Sequence, residues 1–185
     1  MSLALFDLGG RRALITGSGQ GIGNSIARGL AAAGASVVLN GRDGAKLDAA
    51  RAAIPGATAH VFDVTEAVDR IERDEGPIDI LVNNAGIQRR APLQDMPAET
   101  WHEVMKTNID SVFYVGQAVA RKMIPRERGK IINICSLTSE AGRQTIAPYT
   151  TAKGAVRMLT KGMCADWARF GLQINGIGPG YFKTP

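Results

Sequence analysis

The feature that most constrains the fold is the alternation of short apolar segments with longer helical ones. Six apolar, β-branched runs cover residues 12–16, 36–40, 57–62, 78–82, 130–135 and 172–177. Helical patterns between them cover residues 21–33, 44–53, 65–74, 98–124 and 149–170. Because the apolar runs are apolar throughout, they are typical of parallel strands covered on both faces. The pattern predicts an α/β fold with a doubly wound parallel sheet.

Composition narrows the function classes. The 185 residues contain no linker or low-complexity tract, so we expect a single domain over residues 1–185. There is no apolar run of about 20 residues that could span a membrane, and the first residues do not resemble a signal peptide. Two cysteines, Cys135 and Cys164, indicate no disulfide framework. These features predict a cytoplasmic protein.

The net charge of +5 raises the question of nucleic-acid binding. The basic residues are scattered along the chain and have no interleaved aromatic residues, which does not favour that function. A basic protein also suits anionic small-molecule ligands, such as a dinucleotide phosphate or a sugar acid.

A glycine-rich loop joins the first predicted strand to the first predicted helix. Residues 16–23 read TGSGQGIG. Glycines in this position allow a close approach of the backbone to a pyrophosphate, and the helix N-terminus supplies unpaired N–H groups. The loop therefore predicts dinucleotide binding, with these candidate residues: Gly17, Ser18, Gln20, Gly21, Ile22 and Gly23.

Tyr149 and Lys153 are four residues apart on a predicted helix and share one of its faces. A nearby ammonium favours the phenolate and lowers the pKa of a phenol from its reference value near 10. The pair is therefore a candidate proton-transfer device. Taken alone, so short a motif more often marks an aromatic–lysine pair on a solvated helix face.

Further motifs follow in order and resemble the classical short-chain dehydrogenase/reductase family over nearly the whole chain, which implies a Rossmann-type fold. They are Asp63-Val64, Asn83-Asn84-Ala85-Gly86, Asn108, Ser136, the pair Tyr149 and Lys153, Pro179-Gly180, and Thr184. The resemblance implies cofactor contacts from Asp63, Val64, Asn84, Ala85, Gly86, Tyr149, Lys153, Pro179, Gly180 and Thr184.

The resemblance also implies four catalytic roles. Tyr149 exchanges a proton with the substrate oxygen, and Lys153 supports it and binds the nicotinamide ribose. Ser136 donates a hydrogen bond to the substrate oxygen, and Asn108 holds a water molecule of the proton relay. Each has a structural alternative: Ser136 as a turn residue, Asn108 as a helix-bending hydrogen-bonding residue and Lys153 as a solvated side chain.

The end of the second predicted strand bears on the choice of cofactor. It carries Asn40 and Gly41, followed by Arg42, and has no acidic residue at the tip to bind a ribose hydroxyl. A guanidinium can pair with a phosphate, so NADP(H) is favoured, with NAD(H) possible. Alternatively, Arg42 is an exposed turn residue, or Asp43 neutralises it.

The segment after the fourth predicted strand carries Arg89 and Arg90. Residues 131–143 and 175–185 resemble the branch of the family that interconverts gluconate and 5-ketogluconate. The resemblance implies Arg90 as the carboxylate ligand, Ser136 and Tyr149 at the reacting oxygen, and Glu140 and Gln144 at sugar hydroxyls. A solvated loop or subunit contact is the alternative for the arginines. A 3-oxoacyl thioester substrate and a non-catalytic dinucleotide-binding protein remain open. No metal is predicted.

The sequence departs from the family pattern in two places. Residues 63–76 are shorter than expected by about two helical turns, and the last strand and the substrate lid of the family are absent from the sequence. Either the sequence is a fragment, or it holds only ordered residues and the lid is mobile without ligand, which is our expectation. In this family, helices like 98–124 and 149–170 pair subunits, which implies a homotetramer.

Overall fold

The described residues build a parallel six-stranded sheet. The structure is a computed structural model, and it describes residues 4–61 and 65–182. The strands are β1 (Arg12–Thr16), β2 (Ser36–Gly41), β3 (Thr58–Val61), β4 (Ile80–Asn83), β5 (Gly129–Ile134) and β6 (Leu172–Ile177). Their spatial order is β3-β2-β1-β4-β5-β6, and all neighbouring pairs are parallel. The predicted doubly wound α/β fold is confirmed.

Helices connect consecutive strands. They are α1 (Gly21–Ala32), α2 (Gly44–Ala52), α3 (Thr65–Asp74), α4 (Ala98–Met105), α5 (Ser111–Met123) and α6 (Ala147–Trp167). The single helix predicted over residues 98–124 is divided, because a π-helical turn, Lys106–Asp110, joins α4 to α5. Such turns widen a helix locally and occur frequently at functional sites. No helix in residues 4–61 and 65–182 is long and apolar enough to cross a membrane.

The two faces of the sheet bury separate apolar cores. On β1, Leu14 packs into the core formed with α3, α5 and α6, whereas Ala13 and Ile15 pack into the core formed with α1 and α2. All three side chains are fully buried. This two-sided burial explains why the strands are apolar throughout instead of alternating with polar residues.

The position of β1 and β4 at the centre of the sheet determines where a ligand can bind. The chain runs from β1 outward to β2 and β3, and then returns to place β4 on the other side of β1. The loops that follow β1 and β4 therefore leave the sheet in opposite directions. They open a crevice at the carboxyl ends of the strands, where ligands of open α/β sheets bind.

Candidate active site

Two clefts lie side by side along the carboxyl edge of the sheet. The β5-side cleft, about 430 Å³, is lined by residues that follow β4, β5 and β6 and by the start of α6. The β2-side cleft, about 460 Å³, is lined by the ends of β1 and β2, by α4 and by the π-helical turn. Gly86 and Ile87 line both clefts. An extended ligand can therefore cross from one cleft to the other over these two residues.

Tyr149 and Lys153 lie together on α6 and both line the β5-side cleft. The Lys153 ammonium is 5.8 Å from the centre of the Tyr149 ring. Lys153 is only 4% exposed, and its Nζ donates a hydrogen bond to the carbonyl oxygen of Ile134 at 2.5 Å. The spacing of four residues thus places a buried ammonium beside a half-buried phenol ring at the cleft, and not a pair on a solvated helix face.

Burial changes the acidity of Lys153. Desolvation disfavours its charged form and lowers the pKa from 10.5 to about 8, a shift that the neighbouring Cys135 slightly opposes. An amine with this pKa remains mostly protonated at pH 7. A perturbed group of this kind, located in a cleft beside a phenol, is typical of a functional site.

Ser136 follows β5 and caps a short 3₁₀ turn, Leu137–Ser139. Its Oγ accepts hydrogen bonds from the backbone N–H of Thr138 at 3.1 Å and from the Thr138 hydroxyl at 3.0 Å. Ser139 accepts from the Ser136 N–H and donates to the Lys153 carbonyl oxygen at 2.8 Å. The turn therefore ties Ser136 to α6. Because Ser136 Oγ acts as the acceptor in both contacts, its own proton is available to a ligand.

Asn108 lies in the π-helical turn and is fully buried. Its Oδ1 accepts from the N–H of Ile87 at 2.7 Å, and its Nδ2 donates to the Ile87 carbonyl oxygen at 2.8 Å. The side chain holds the backbone of Ile87, one of the two residues shared by the clefts. These bonds fix the segment after β4, whereas the predicted role in a proton relay stays a prediction.

The glycine-rich loop packs directly against the loop after β4. Gly17 has a positive φ of 63°, and a Cβ there would lie 2.8 Å from the Ala85 Cα. A Cβ on Gly23 would lie 2.4 Å from Asn84 Nδ2. Only glycine fits these two positions, and the open first turn of α1 follows, with no side-chain cap from Gln20. This cradle fits the pyrophosphate of a dinucleotide.

Thr16 and Asn84 join the ends of β1 and β4. Thr16 Oγ1 accepts from the N–H groups of Asn84 and Ala85, both at 3.0 Å. Asn84 Nδ2 donates to the carbonyl oxygens of Thr16 and Gly17, also at 3.0 Å. Sequence analysis did not single out Thr16, although a polar hydroxyl at the end of an apolar strand was an available signal.

Ser18, predicted to contact the cofactor, uses its hydroxyl within the protein. It is fully buried, and its hydroxyl donates to the Ile15 carbonyl oxygen at 2.8 Å and accepts from the Asn40 N–H at 3.0 Å. Ser18 thus fastens the loop to β2 and lines neither cleft. Asn40 lines the β2-side cleft but is 3% exposed, and its amide donates to the His60 carbonyl oxygen at 3.2 Å.

Arg42 is exposed and lines the β2-side cleft. Asp43 accepts the N–H of Lys46 at 3.1 Å as the N-cap of α2 and forms an ion pair with the Lys46 ammonium at 3.6 Å. The aspartate is therefore engaged by α2, and within residues 4–61 and 65–182 it forms no ion pair with Arg42.

The arginines after β4 have different surroundings. Arg89 pairs with Glu103 of α4 through two hydrogen bonds of 2.8 and 3.1 Å. Arg90 lines the β5-side cleft, as does Arg143, which sequence analysis did not select. Arg143 donates to the Tyr181 hydroxyl at 3.0 Å and lies over the Tyr181 ring.

Comparison with known proteins identifies the family. A family model described as short chain dehydrogenase matches residues 11–185. The chain belongs to the short-chain dehydrogenase family. It is therefore an oxidoreductase of the class that uses NAD(P), as the sequence motifs predicted.

Several relatives of this short-chain dehydrogenase carry sugar-acid names. It is 58% identical to gluconate 5-dehydrogenase of Gluconobacter oxydans, over 97% of this chain and 74% of the relative. It is 49% identical to 5-keto-D-gluconate 5-reductase of Escherichia coli K12, over 97% and 75%. A solved gluconate 5-dehydrogenase from Burkholderia cenocepacia, in complex with NADP and tartrate, matches with a TM-score of 0.90 and 58% identity, over 96% of this chain and 74% of that one.

The predicted site residues of this dehydrogenase fall into three groups. Those lining a cleft are Gly17, Ile22, Asn40, Arg42, Asn84, Ala85, Gly86, Arg90, Ser136, Tyr149, Lys153, Pro179 and Gly180. Those lining neither cleft are Ser18, Gln20, Gly21, Gly23, Asn108, Glu140 and Gln144. Asp63, Val64 and Thr184 lie outside the described residues.

Glu140, predicted to contact sugar hydroxyls, lines neither cleft. It is exposed and forms an ion pair with Arg157 of α6. The 3₁₀ turn that begins at Ser136 directs the chain back over α6, and the opposite charge of Arg157 holds the carboxylate there. Arg143, three residues later, does line the β5-side cleft, and the sequence motif did not single it out.

Proposed function

We propose that this short-chain dehydrogenase interconverts gluconate and 5-ketogluconate with NADP(H). The observation that carries the proposal is the single cleft in which Tyr149, the Lys153 ammonium and Ser136 lie together with Arg90. The sugar-acid names of the relatives, and the tartrate in the Burkholderia enzyme, support a hydroxy acid as substrate.

The proposed chemistry is a hydride and proton transfer. When bound, the nicotinamide supplies or accepts the hydride at the reacting carbon. In the reductive direction Tyr149 gives its phenolic proton to the carbonyl oxygen that becomes a hydroxyl, and in the oxidative direction it takes that proton back. Ser136 donates a hydrogen bond from its hydroxyl to the same oxygen, keeps its proton, and stabilises the charge that develops on that oxygen.

Lys153 supports this step electrostatically. Its ammonium, near the Tyr149 ring and shielded from water, favours negative charge on the phenol oxygen after the proton has left. Asn108 holds the backbone of Ile87, which together with Gly86 lines both clefts. The dinucleotide would extend over these two residues, with its pyrophosphate at the glycine-rich loop and its adenosine in the β2-side cleft.

Arg42 supports NADP(H) over NAD(H), because it lines the β2-side cleft while the neighbouring Asp43 pairs with Lys46. We expect Arg42→Ala to raise the KM for NADPH about tenfold or more, since hydrogen bonds to charged groups contribute about 1.5–3 kcal/mol. The KM for NADH should change less than about twofold. Steady-state kinetics with both cofactors measures the difference.

The matched control for this substitution is Arg51→Ala. Arg51 is also an exposed arginine, but it lies in α2 and lines neither cleft. It should leave both KM values unchanged. Equal effects of Arg42→Ala on NADPH and NADH would remove the assignment of Arg42 to the 2′-phosphate.

The substrate assignment is tested by nicotinamide absorbance at 340 nm. We expect the protein to reduce 5-ketogluconate and oxidise gluconate with kcat/KM in the ordinary range for enzymes, about 10⁴ M⁻¹s⁻¹ or more. A 3-oxoacyl thioester should be reduced much more slowly, because it brings no carboxylate to Arg90. Preferential reduction of the thioester would overturn the substrate while leaving the family unchanged.

A homotetramer is the proposed assembly. Phe113 and Tyr114 on α5 and Met158 on α6 expose 40%, 52% and 57% of their surfaces, which suits helices that pack against another subunit. Light scattering that gave the mass of a single chain would contradict this proposal. The cytoplasmic location stays a prediction.

A further inference from the structure

The β5-side cleft has an unbalanced charge. Three cationic side chains line it, Arg90, Arg143 and Lys153, and none of its lining residues in the described part of the chain is acidic. Lys153 is engaged with Ile134 and lies next to Tyr149. The two guanidiniums are left to face a ligand, and a substrate with one carboxylate would neutralise only one of them.

The neighbouring Arg89 shows what a neutralised arginine looks like in this region. Glu103 binds it with two hydrogen bonds, in the fork geometry that carboxylates form with guanidiniums. Over residues 4–61 and 65–182, neither Arg90 nor Arg143 forms an ion pair with a carboxylate. The contact of Arg143 with Tyr181 orients the guanidinium but leaves its charge uncompensated.

A strained backbone position holds the two arginine loops together. Thr145 is β-branched but has a positive φ of 68°, a conformation that such residues rarely adopt. Its carbonyl oxygen accepts a hydrogen bond from the N–H of Ala91 at 3.0 Å. The residue beside each end of this bond, Arg90 in one loop and Ile146 in the other, lines the β5-side cleft. This hydrogen bond therefore holds the loop of Arg90 against the loop of Ile146 at the β5-side cleft.

The two guanidiniums belong to different loops. Arg90 lies in the loop that follows β4, whereas Arg143 lies in the loop that follows β5 and is held by Tyr181, which follows β6. Because the two side chains have separate supports and neither is paired with a carboxylate, each can bind a carboxylate of its own. A chain of several carbons with a carboxylate at each end offers one to each guanidinium.

We propose that Arg90 and Arg143 form two separate carboxylate sites and that the enzyme also oxidises six-carbon sugar acids with a carboxylate at each end. The inference rests on the proposed function, because it uses the same chemistry at the same cleft. A secondary CH–OH loses hydride from carbon to the oxidised nicotinamide and its hydroxyl proton to the Tyr149 oxygen, which leaves a keto diacid. Arg143 is then the residue that determines specificity for the second carboxylate.

A substrate series of equal chain length tests the proposal. Sorbitol, gluconate and glucarate carry no, one and two carboxylates on six carbons. The wild-type enzyme should oxidise glucarate with a KM no higher than that for gluconate, and sorbitol with a much higher KM. Arg143→Gln should raise the KM for glucarate about tenfold or more and that for gluconate less than about threefold, with similar kcat values.

Two further variants complete the series. Arg143→Lys keeps the charge and should recover part of the glucarate affinity. Arg128→Gln removes one positive charge from the opposite edge of the sheet, where it lines neither of the two clefts, and should affect no substrate selectively. If Arg143→Gln weakens gluconate and glucarate equally, or weakens neither, the proposal of two carboxylate sites is wrong.

A binding measurement separates this inference from the proposed function. Adipate is a six-carbon diacid without an oxidisable hydroxyl, and hexanoate is its monoacid counterpart. Calorimetry on the NADP-loaded protein should show adipate binding about tenfold more tightly, and Arg143→Gln should abolish the difference. Equal binding of the two acids by the wild-type protein overturns the inference. Preferential binding of adipate without turnover of gluconate supports the two carboxylate sites and rejects the proposed function, together with the oxidation of diacids that rests on it.

Discussion

Tyr149→Phe should abolish turnover while leaving the binding of the dinucleotide nearly unchanged. The substitution removes one oxygen atom from a half-buried ring and preserves the packing of α6. The substitution removes the phenolic hydroxyl that we propose as the proton donor to the substrate oxygen. General acid catalysis contributes about 10²–10⁴-fold, so kcat should fall by about 10³-fold or more.

Dinucleotide affinity provides the readout that distinguishes a catalytic from a structural loss. Quenching of protein fluorescence by NADPH should give a Kd within about threefold of the wild-type value, because the glycine-rich loop and Arg42 are unchanged. Tyr114→Phe, on the exposed face of α5, is the matched control and should retain full activity. If Tyr149→Phe keeps more than about a tenth of the wild-type kcat, another group delivers the proton.

The fold followed from the sequence because one physical rule determines it. Residues such as Ala13, Leu14 and Ile15 on β1 are buried on alternating faces against two layers of helices, so every position must be apolar. A run of this kind has few solutions other than a central parallel strand. The glycines of the loop after β1 were equally informative, because close backbone contacts with Asn84 and Ala85 exclude any side chain at Gly17 and Gly23.

The local geometry of the site was less predictable. Nothing in the sequence reveals that residues 106–110 form a π-helical turn, which is what places Asn108 against Ile87. Ser18 matched a motif, but its hydroxyl is used to join β1 to β2.

The sequence also does not show that Glu140 pairs with Arg157 while Arg143 lines the cleft and contacts Tyr181, because these contacts join residues that are distant in the sequence. Spacing predicts which residues share an element. It does not predict which partner a long side chain selects.

Lys153→Met should make the protein more stable and nearly inactive. The lowering of the Lys153 pKa from 10.5 to about 8 means that burying the charged amine costs about 3 kcal/mol of folding free energy at pH 7. Methionine fills a similar volume without charge but loses the hydrogen bond to the Ile134 carbonyl oxygen, which is worth about 1 kcal/mol. The net gain should be about 1–2 kcal/mol in urea unfolding, with a Tm higher by a few degrees.

The pH dependence of this gain has a definite sign. Below about pH 8 the lysine is protonated in both the folded and the unfolded states, so the wild-type protein bears the whole cost of the buried charge. Between about pH 8 and 10.5 the unfolded chain holds a proton that the folded protein has released, and wild-type stability from this group therefore rises with pH. The advantage of Lys153→Met over wild type should shrink between pH 7 and pH 10.

Activity should move in the opposite direction to stability, because the same buried charge that destabilises the fold is proposed to support proton transfer by Tyr149 and to bind the nicotinamide ribose. We expect kcat/KM to fall about 10³-fold for Lys153→Met. Lys161→Met, at an exposed position on the same helix, is the control and should change neither quantity. If Lys153→Met were inactive but no more stable than wild type at pH 7, the buried ammonium would not destabilise the folded protein as we expect.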